Sequence, residues 1–106
     1  MTRTGQPELL LALHLTELGV TFERQYAYVP GRRFRADFGL VADRLLIEVQ
    51  GGIFTGQAHG SIRGVLADIE RGNLATLHGW RRLCFTPQQV ETGEAKAFIE
   101  AVLERG

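Results

Sequence analysis

Two short hydrophobic segments between Arg33 and Gln50 each carry one acidic residue, and they constrain the fold more than any other feature. Asp37 has an apolar residue on each side, and Glu48 lies within the sequence LLIEV. Both segments are typical of β-strands, and the residues ADR between them are typical of a turn. An ionised carboxylate among apolar neighbours is unfavourable unless an opposite charge compensates it. Two such acids on adjacent strands predict a shared hard cation such as Mg²⁺, and hydrolysis rather than simple packing.

An ion pair with arginine is the alternative explanation for both acids, and Arg35 is one available partner. The residues after Glu48 favour the metal site instead. Gln50 follows Glu48 by two positions, so both side chains would lie on one face of a strand, where the amide of Gln50 would place water or phosphate. The carbonyl of Val49 adds a neutral oxygen ligand. The next residues, Gly51 and Gly52, break the strand and begin a glycine-rich loop.

Hydrophobic patterning predicts a single α/β domain over residues 1–106, with the element order α-β-β-β-α-β-α. The second helix is expected to have an apolar face containing Leu66, Ile69, Leu74 and Leu77. This order predicts a central mixed four-stranded sheet flanked by helices. The expected helices cover residues 7–19, 63–77 and 93–103, with a short helical turn after Thr86 and Pro87, and the expected strands cover residues 20–28, 34–40, 45–50 and 80–85.

Composition excludes several classes of protein. With 106 residues, 44% of them hydrophobic, the chain has room for one core and is not a disordered segment. No apolar run approaches the roughly 20 residues that span a bilayer, and the start of the chain has no signal pattern. We therefore expect a cytoplasmic protein with no membrane partner. The single cysteine, Cys84, cannot form an internal disulfide, and its neighbours Leu83 and Phe85 predict a buried thiol.

The basic residues are almost all arginines, since Lys96 is the only lysine among the twelve Lys and Arg residues. Arginine binds phosphate in a bidentate manner, which lysine cannot do. Four arginines fall close together, namely Arg24, Arg32, Arg33 and Arg35. The net charge is zero, so the whole molecule does not attract nucleic acid. A local basic face for DNA and a plain compositional bias explain the arginines equally well.

An ordered set of residues runs along the chain, namely Glu8, Asp37, Glu48-Val49-Gln50, Gly51-Gly52, His59, Asp68, Arg71 and the segment GWRRLCFTPQQV, Gly79 to Val90. This set resembles the motifs of the PD-(D/E)XK, or restriction-endonuclease-like, nucleases. The resemblance is closest to the small single-domain members related to very-short-patch repair endonucleases and to similar bacterial and phage proteins. The chain departs from the family pattern at Gln50, where lysine is usual, and at Ala36, where proline is usual.

The resemblance implies a metal-dependent DNA endonuclease that hydrolyses phosphodiester bonds in repair, recombination or phage DNA processing. Asp37 and Glu48 would bind Mg²⁺ or Mn²⁺, and Gln50 would orient the attacking water. His59 would carry a proton or contact a phosphate, although a lone loop histidine is often only exposed. Glu8 would act as an additional acid or bind the metal through water, or it would only be a favourable charge at a helix start.

Arginines around the site would hold the DNA. Arg32, Arg33 and Arg35 would contact the backbone without reading its sequence. Arg63 would bind the scissile or a neighbouring phosphate, with Asp68 and Arg71 either bracing it or forming a solvated pair on a helix surface.

Two further possibilities remain open from the sequence. A homodimer is plausible, because two symmetry-related sites most simply cut both strands of a duplex. The last helix, with Phe98 and Ile99, would pack on the sheet or on such a partner. The alternative function is a catalytically degenerate module of the same fold that binds DNA or a protein partner without cleaving. Gln50 and the neutral net charge favour that module, whereas Asp37 and Glu48 favour the enzyme.

Overall fold

The computed structural model describes residues 5–50 and 62–106, and it confirms the predicted mixed α/β architecture. The short helical turn expected after Pro87 forms a separate helix, and the first strand is shorter than expected. A 3-10 turn at Val41–Asp43 joins the second and third strands. In chain order the elements are α1 Gly5–Glu17, β1 Glu23–Tyr26, β2 Ala36–Leu40, β3 Leu45–Val49, α2 Ile62–Leu77, β4 Arg81–Phe85, α3 Pro87–Glu91 and α4 Glu94–Arg105.

The four strands form one mixed sheet in the order β1-β2-β3-β4. The two hairpin-type pairings, β1 with β2 and β2 with β3, are antiparallel, and β4 pairs in parallel with β3. Strand β3 is therefore central, as its apolar residues on both faces predict. A parallel neighbour requires a long crossover, and α2 lies in the connection between β3 and β4.

Each face of the sheet has its own hydrophobic cluster. On one face Leu11, Leu15 and Ile99 pack against Phe38 and Ile47. Ile99 is fully buried, so α4 contributes to this core, as one of the two interpretations of that helix predicted. On the other face the cluster includes Leu46, Ala75 and Trp80. Among the described residues no helix is both long and apolar enough to cross a lipid bilayer.

The apolar face predicted for α2 is largely wrong. Leu66, Ile69 and Leu77 are 60%, 52% and 76% exposed, whereas Leu74 is only partly buried. The side of α2 that reaches the sheet instead contributes Ala75 and the charged residues Asp68 and Arg71. Because those charges face ionic partners on the sheet, the helix cannot also place its longest apolar stripe there.

Gly39 on β2 lies against the ring of Tyr26. An added Cβ at Gly39 would be 2.6 Å from Cγ of Tyr26, whose ring packs edge-on against Trp80 at 5.4 Å. We expect Gly39→Ala to lower the free energy of unfolding by about 1–3 kcal/mol, because the ring must move within a packed cluster. Denaturant titration measures this change.

Gly72→Ala is the matched control for that substitution. Gly72 lies within α2, and among the described residues its added Cβ would meet only Nη1 of Arg82, at 3.6 Å. Alanine is favoured over glycine in a helix, so this variant should gain up to about 1 kcal/mol. A Gly39→Ala variant as stable as Gly72→Ala would show that Tyr26 adjusts without cost.

Candidate functional site

The two acids predicted from the sequence lie at the same end of the sheet. Glu48 is near the carboxyl end of β3, and Asp37 is near the amino end of β2, the antiparallel neighbour of β3. The pairing of β2 with β3 ends with Phe38 opposite Ile47, so Asp37 and Glu48 lie next to the last paired residues of the two strands. Here the side chain of Asp37 replaces a backbone partner, because its Oδ2 accepts a hydrogen bond of 2.7 Å from the N–H of Val49. The half-buried carboxylate of Asp37 is thereby held at the end of the ladder.

Glu8, in the first turn of α1, is the acid whose charge acts on Asp37. Burial raises the pKa of Asp37 above its ordinary value, the Val49 hydrogen bond opposes this, and the nearby negative charge of Glu8 raises that pKa further. The side chain of Glu8 is only 18% exposed, and its Oε1 accepts from Arg24 at 3.3 Å and from Gln25 at 3.5 Å. Two converging carboxylates favour a shared proton or cation.

Glu48 belongs to a different network, in which arginines neutralise its charge. The residue is 6% exposed. Oε2 accepts from Nε of Arg82 and Oε1 accepts from its Nη2, both at 3.3 Å, and Nη2 of Arg71 lies 3.7 Å from Oε2. The amide of Gln50 donates to Oε1 at 3.4 Å. The structure thus shows the arginine pairing that was the alternative explanation for this acid, and a ligand role for Glu48 stays a prediction.

Arg82, on β4, is the functional candidate that the sequence did not reveal. It bridges two acids, since its Nη2 also lies 3.0 Å from Oδ1 of Asp68. Burial lowers the pKa of Arg82, but the hydrogen bond and charge of Glu48, together with the hydrogen bond to Asp68, outweigh this and raise it well above its usual value. The only sequence signal was a pair of arginines within the strand RRLCF. Asp68 therefore pairs with Arg82 rather than with Arg71.

Arg71 connects the site to the segment before β2. Its Nη2 donates to the carbonyl of Arg35 at 3.1 Å, and its guanidinium lies 5.3 Å from the ring centre of Phe34. Its Nε is buried and has no hydrogen-bond partner among the described residues. Among the described residues, the Nε–H of Arg71 is thus an unused hydrogen-bond donor on a side chain that lies beside Glu48.

Cys84 lies next to Gln50, with Nε2 of Gln50 3.6 Å from its Sγ. The prediction of a buried thiol is wrong, because Cys84 is exposed. It shares a register position with Glu48 on the neighbouring strand, so its side chain lies on the α2 face at the sheet end rather than in the core of the opposite face.

The arginines predicted to contact DNA are all on the surface but differ in their partners. Arg32 pairs with Glu70 at 3.0 Å, and Arg35 donates to the carbonyl of Gln25 at 3.3 Å. Arg33 and Arg63 are exposed, and neither has an ion-pair partner within residues 5–50 and 62–106. His59 and the glycine-rich loop lie outside the described residues, so their predicted roles stay predictions.

Comparison with known proteins identifies the fold. No model of a known protein family matches the chain, and no curated protein sequence matches it. Among solved structures it is similar to the "Homing Endonuclease I-Bth0305I Catalytic Domain", with a TM-score of 0.68, 21% identity and 89% of each chain covered. The chain shares the fold of that domain. The narrower resemblance to PD-(D/E)XK and very-short-patch repair enzymes stays a prediction.

The raised pKa of Asp37 predicts how the stability of the metal-free protein depends on pH. A carboxyl with a folded-state pKa above its unfolded value favours the folded state in its protonated form. Its contribution is therefore complete below the unfolded pKa and is lost as the pH rises through the folded pKa. In EDTA, Asp37→Asn should remove this loss. Urea titrations of both proteins across the acidic range measure the difference, and parallel pH profiles would contradict the prediction.

Proposed function

We propose that this chain is a metal-dependent DNA endonuclease that hydrolyses phosphodiester bonds. The observation that carries the proposal is the approach of Glu8 and Asp37 at one end of the sheet, where burial and mutual charge raise the pKa of Asp37. A partly buried pair of acids of this kind is suited to a divalent cation. The shared fold with a homing endonuclease catalytic domain supports the same class of reaction.

The donors at this position suit Mg²⁺ or Mn²⁺. Mg²⁺ is commonly held by one or two carboxylates and keeps several waters. Glu8 and Asp37 would supply the carboxylates, and the carbonyl of Val49 a neutral oxygen. The described residues contain no cluster of three or more His, Cys, Asp and Glu side chains suited to a metal, so water would complete the shell. The bound ion would acidify a water and neutralise charge on the phosphate. Glu48 would join as a ligand only by releasing an arginine.

The residues around Glu48 would act on the phosphate. Glu48 holds Arg82 and Arg71 at the site, and their positive charge would stabilise the charge that develops during hydrolysis. Gln50 donates its amide N–H to Glu48, which leaves its amide oxygen to accept from the attacking water. Of the four arginines predicted to contact DNA, Arg33 and Arg63 have no ion-pair partner among the described residues and would bind backbone phosphates directly. Arg32 and Arg35 would first have to give up a protein partner. His59 would carry a proton.

The biological setting belongs to the same proposal. Repair, recombination and phage DNA processing all require such an enzyme, and two copies of the chain related by symmetry would cut both strands of a duplex.

The second candidate is a module that binds DNA or a protein partner without cleaving. The pairing of Glu48 with Arg82 and Arg71 favours it, because both oxygens of this acid are already used. The two candidates differ in one measurable property. The melting temperature of a degenerate module does not rise when a divalent ion is added, whereas the enzyme is stabilised by the ion through mass action.

Cleavage of labelled DNA tests the proposal. Single-stranded, duplex, nicked, flap, mismatched and four-way-junction substrates are incubated with Mg²⁺, with Mn²⁺ or with EDTA. We expect metal-dependent cutting that is lost in Glu8→Gln and retained in Glu100→Gln, an exposed acid on α4. Binding without cutting of any substrate by the folded protein would overturn the nuclease proposal and support the degenerate module.

A further inference from the structure

A cavity of about 360 Å³ lies between the segment that begins at Tyr26 and the residues that precede β3 and β4. It opens at the amino ends of β3 and β4, on the side of the sheet where Trp80 and α2 pack. Arg44 at its wall and Glu48 at the candidate site are separated along β3 by about 13 Å, at roughly 3.3 Å per strand residue. The side chains that matter for its chemistry are Tyr26, Tyr28, Arg32, Arg44, His78 and Trp80.

Arg44 presents a positive charge and a flat surface to this cavity. Its guanidinium lies 4.1 Å from the ring centre of Trp80, and its Nη2 donates a hydrogen bond to the carbonyl of His78. Its backbone is left-handed, with φ 52° and ψ 48°, which directs the chain from the turn into β3. Arg44 is nevertheless exposed, so the guanidinium face away from the indole is available to a second planar group.

Arg32 adds a second guanidinium that can be released to a ligand. It pairs with Glu70 at 3.0 Å, but the two side chains are 41% and 54% exposed, and such surface pairs contribute little to stability. An anion can therefore replace Glu70 at low cost. Within residues 5–50 and 62–106 no aspartate or glutamate lines the cavity itself, and Glu70 pairs with Arg32 from outside that lining.

We propose that this cavity binds one nucleoside monophosphate unit, with the base stacked on Arg44 and the phosphate on Arg32. Bases stack on guanidinium planes as they do on aromatic rings, and arginine is a bidentate phosphate ligand. The volume lies within the roughly 300–1,000 Å³ of small-molecule sites. On a nucleic-acid strand, the bound unit would lie a few nucleotides from the one at the Glu8–Asp37 pair. Binding requires no cleavage, so this proposal and the nuclease proposal can fail separately.

Trp80 reports on the ligand directly, because it is the only tryptophan of the chain and it lines the cavity. The full chain in EDTA is titrated with dAMP, with deoxyadenosine and with inorganic phosphate while tryptophan emission is recorded. We expect a saturable change with dAMP, and about tenfold weaker binding of either part alone, because each part lacks one of the two contacts. No saturable change with dAMP would overturn the proposal.

Two variants test the assigned contacts. Arg44→Asn removes the guanidinium while keeping a residue that tolerates the left-handed backbone, and Arg32→Gln breaks only an exposed ion pair. Each should weaken dAMP binding about tenfold, whereas Arg105→Gln at the end of α4 should not. If Arg44→Asn does not fold, Arg32→Gln decides the result. Wild-type affinity in the folded variants would overturn the proposal.

A short single-stranded oligonucleotide distinguishes the two sources of the nucleotide. Its binding is followed in EDTA by fluorescence anisotropy, so cleavage does not enter. If the unit belongs to a DNA strand, Arg44→Asn and Arg32→Gln weaken oligonucleotide binding about tenfold, and dAMP competes with it. Unchanged oligonucleotide affinity, together with dAMP binding that needs both arginines, identifies a free nucleotide as the ligand of the same site.

Discussion

Asp37→Asn should reduce metal-dependent DNA cleavage by about a thousandfold, because it removes the carboxylate charge on which the proposed metal site depends. Asparagine has the same shape, and its amide oxygen can still accept the 2.7 Å hydrogen bond from Val49. The end of the β2–β3 ladder should therefore remain intact. Single-turnover cleavage of the preferred substrate in Mg²⁺ measures the loss.

Thermal unfolding separates this loss of charge from a loss of structure. In EDTA the Asp37→Asn variant should be at least as stable as the wild type at neutral pH, since burial and Glu8 disfavour the ionised form of Asp37. Added Mg²⁺ should raise the melting temperature of the wild type and not that of the variant. Asp43→Asn, in the exposed 3-10 turn, is the matched control and should keep both responses. An Asp37→Asn variant that still cuts DNA or still responds to Mg²⁺ would exclude Asp37 as a ligand.

Glu48→Ala should lower the free energy of unfolding by about 3 kcal/mol, whether or not a divalent ion is present. The substitution leaves Arg82 and Arg71 without their shared counter-charge at a position where Glu48 is 6% exposed. For a domain of this size the melting temperature should fall by roughly 10 °C or more. Urea titrations in EDTA and in Mg²⁺ measure the two values.

A double variant identifies the ion pair as the cause of that loss. Glu48→Leu combined with Arg82→Met removes both charges and should be more stable than Glu48→Ala, since paired removal leaves no buried charge from this contact. The stabilisation by Mg²⁺ tests the alternative, in which Glu48 binds the metal. A Glu48→Ala variant with wild-type stability in EDTA, but with no stabilisation by Mg²⁺, would show that Glu48 binds the metal rather than the arginines.

Much of the fold was predictable because its signals are local. Strand β3 was recognised from consecutive apolar residues, and it is central. The start of α3 was recognised from Thr86 and Pro87. Thr86 forms a capping box in which its hydroxyl accepts from the N–H of Gln89, whose side chain accepts from the N–H of Thr86. Such signals depend on residues within one turn or strand, so they do not require knowledge of the packing.

Local signals did not predict which side chains of α2 and β4 are buried. The periodic pattern of α2 suggested that Leu66 and Ile69 would be buried, yet both are exposed. Cys84 has apolar neighbours and is also exposed. Periodicity identifies an apolar stripe but not what covers it, and here the contact between α2 and the sheet includes ionic side chains.

The short apolar segments and the turn residues between them were sufficient to select Asp37 and Glu48 as site candidates and to place them on adjacent strands. These signals depend only on residues that are neighbours in the chain. The partner of each acid was decided only by the tertiary structure. Glu8 approaches Asp37 from α1, and Arg82 reaches Glu48 from a strand 34 positions further along the chain. The charge that compensates a buried carboxylate depends on long-range packing, and many arginines were available in the sequence. The parallel pairing of β4 with β3 places Arg82 in that position.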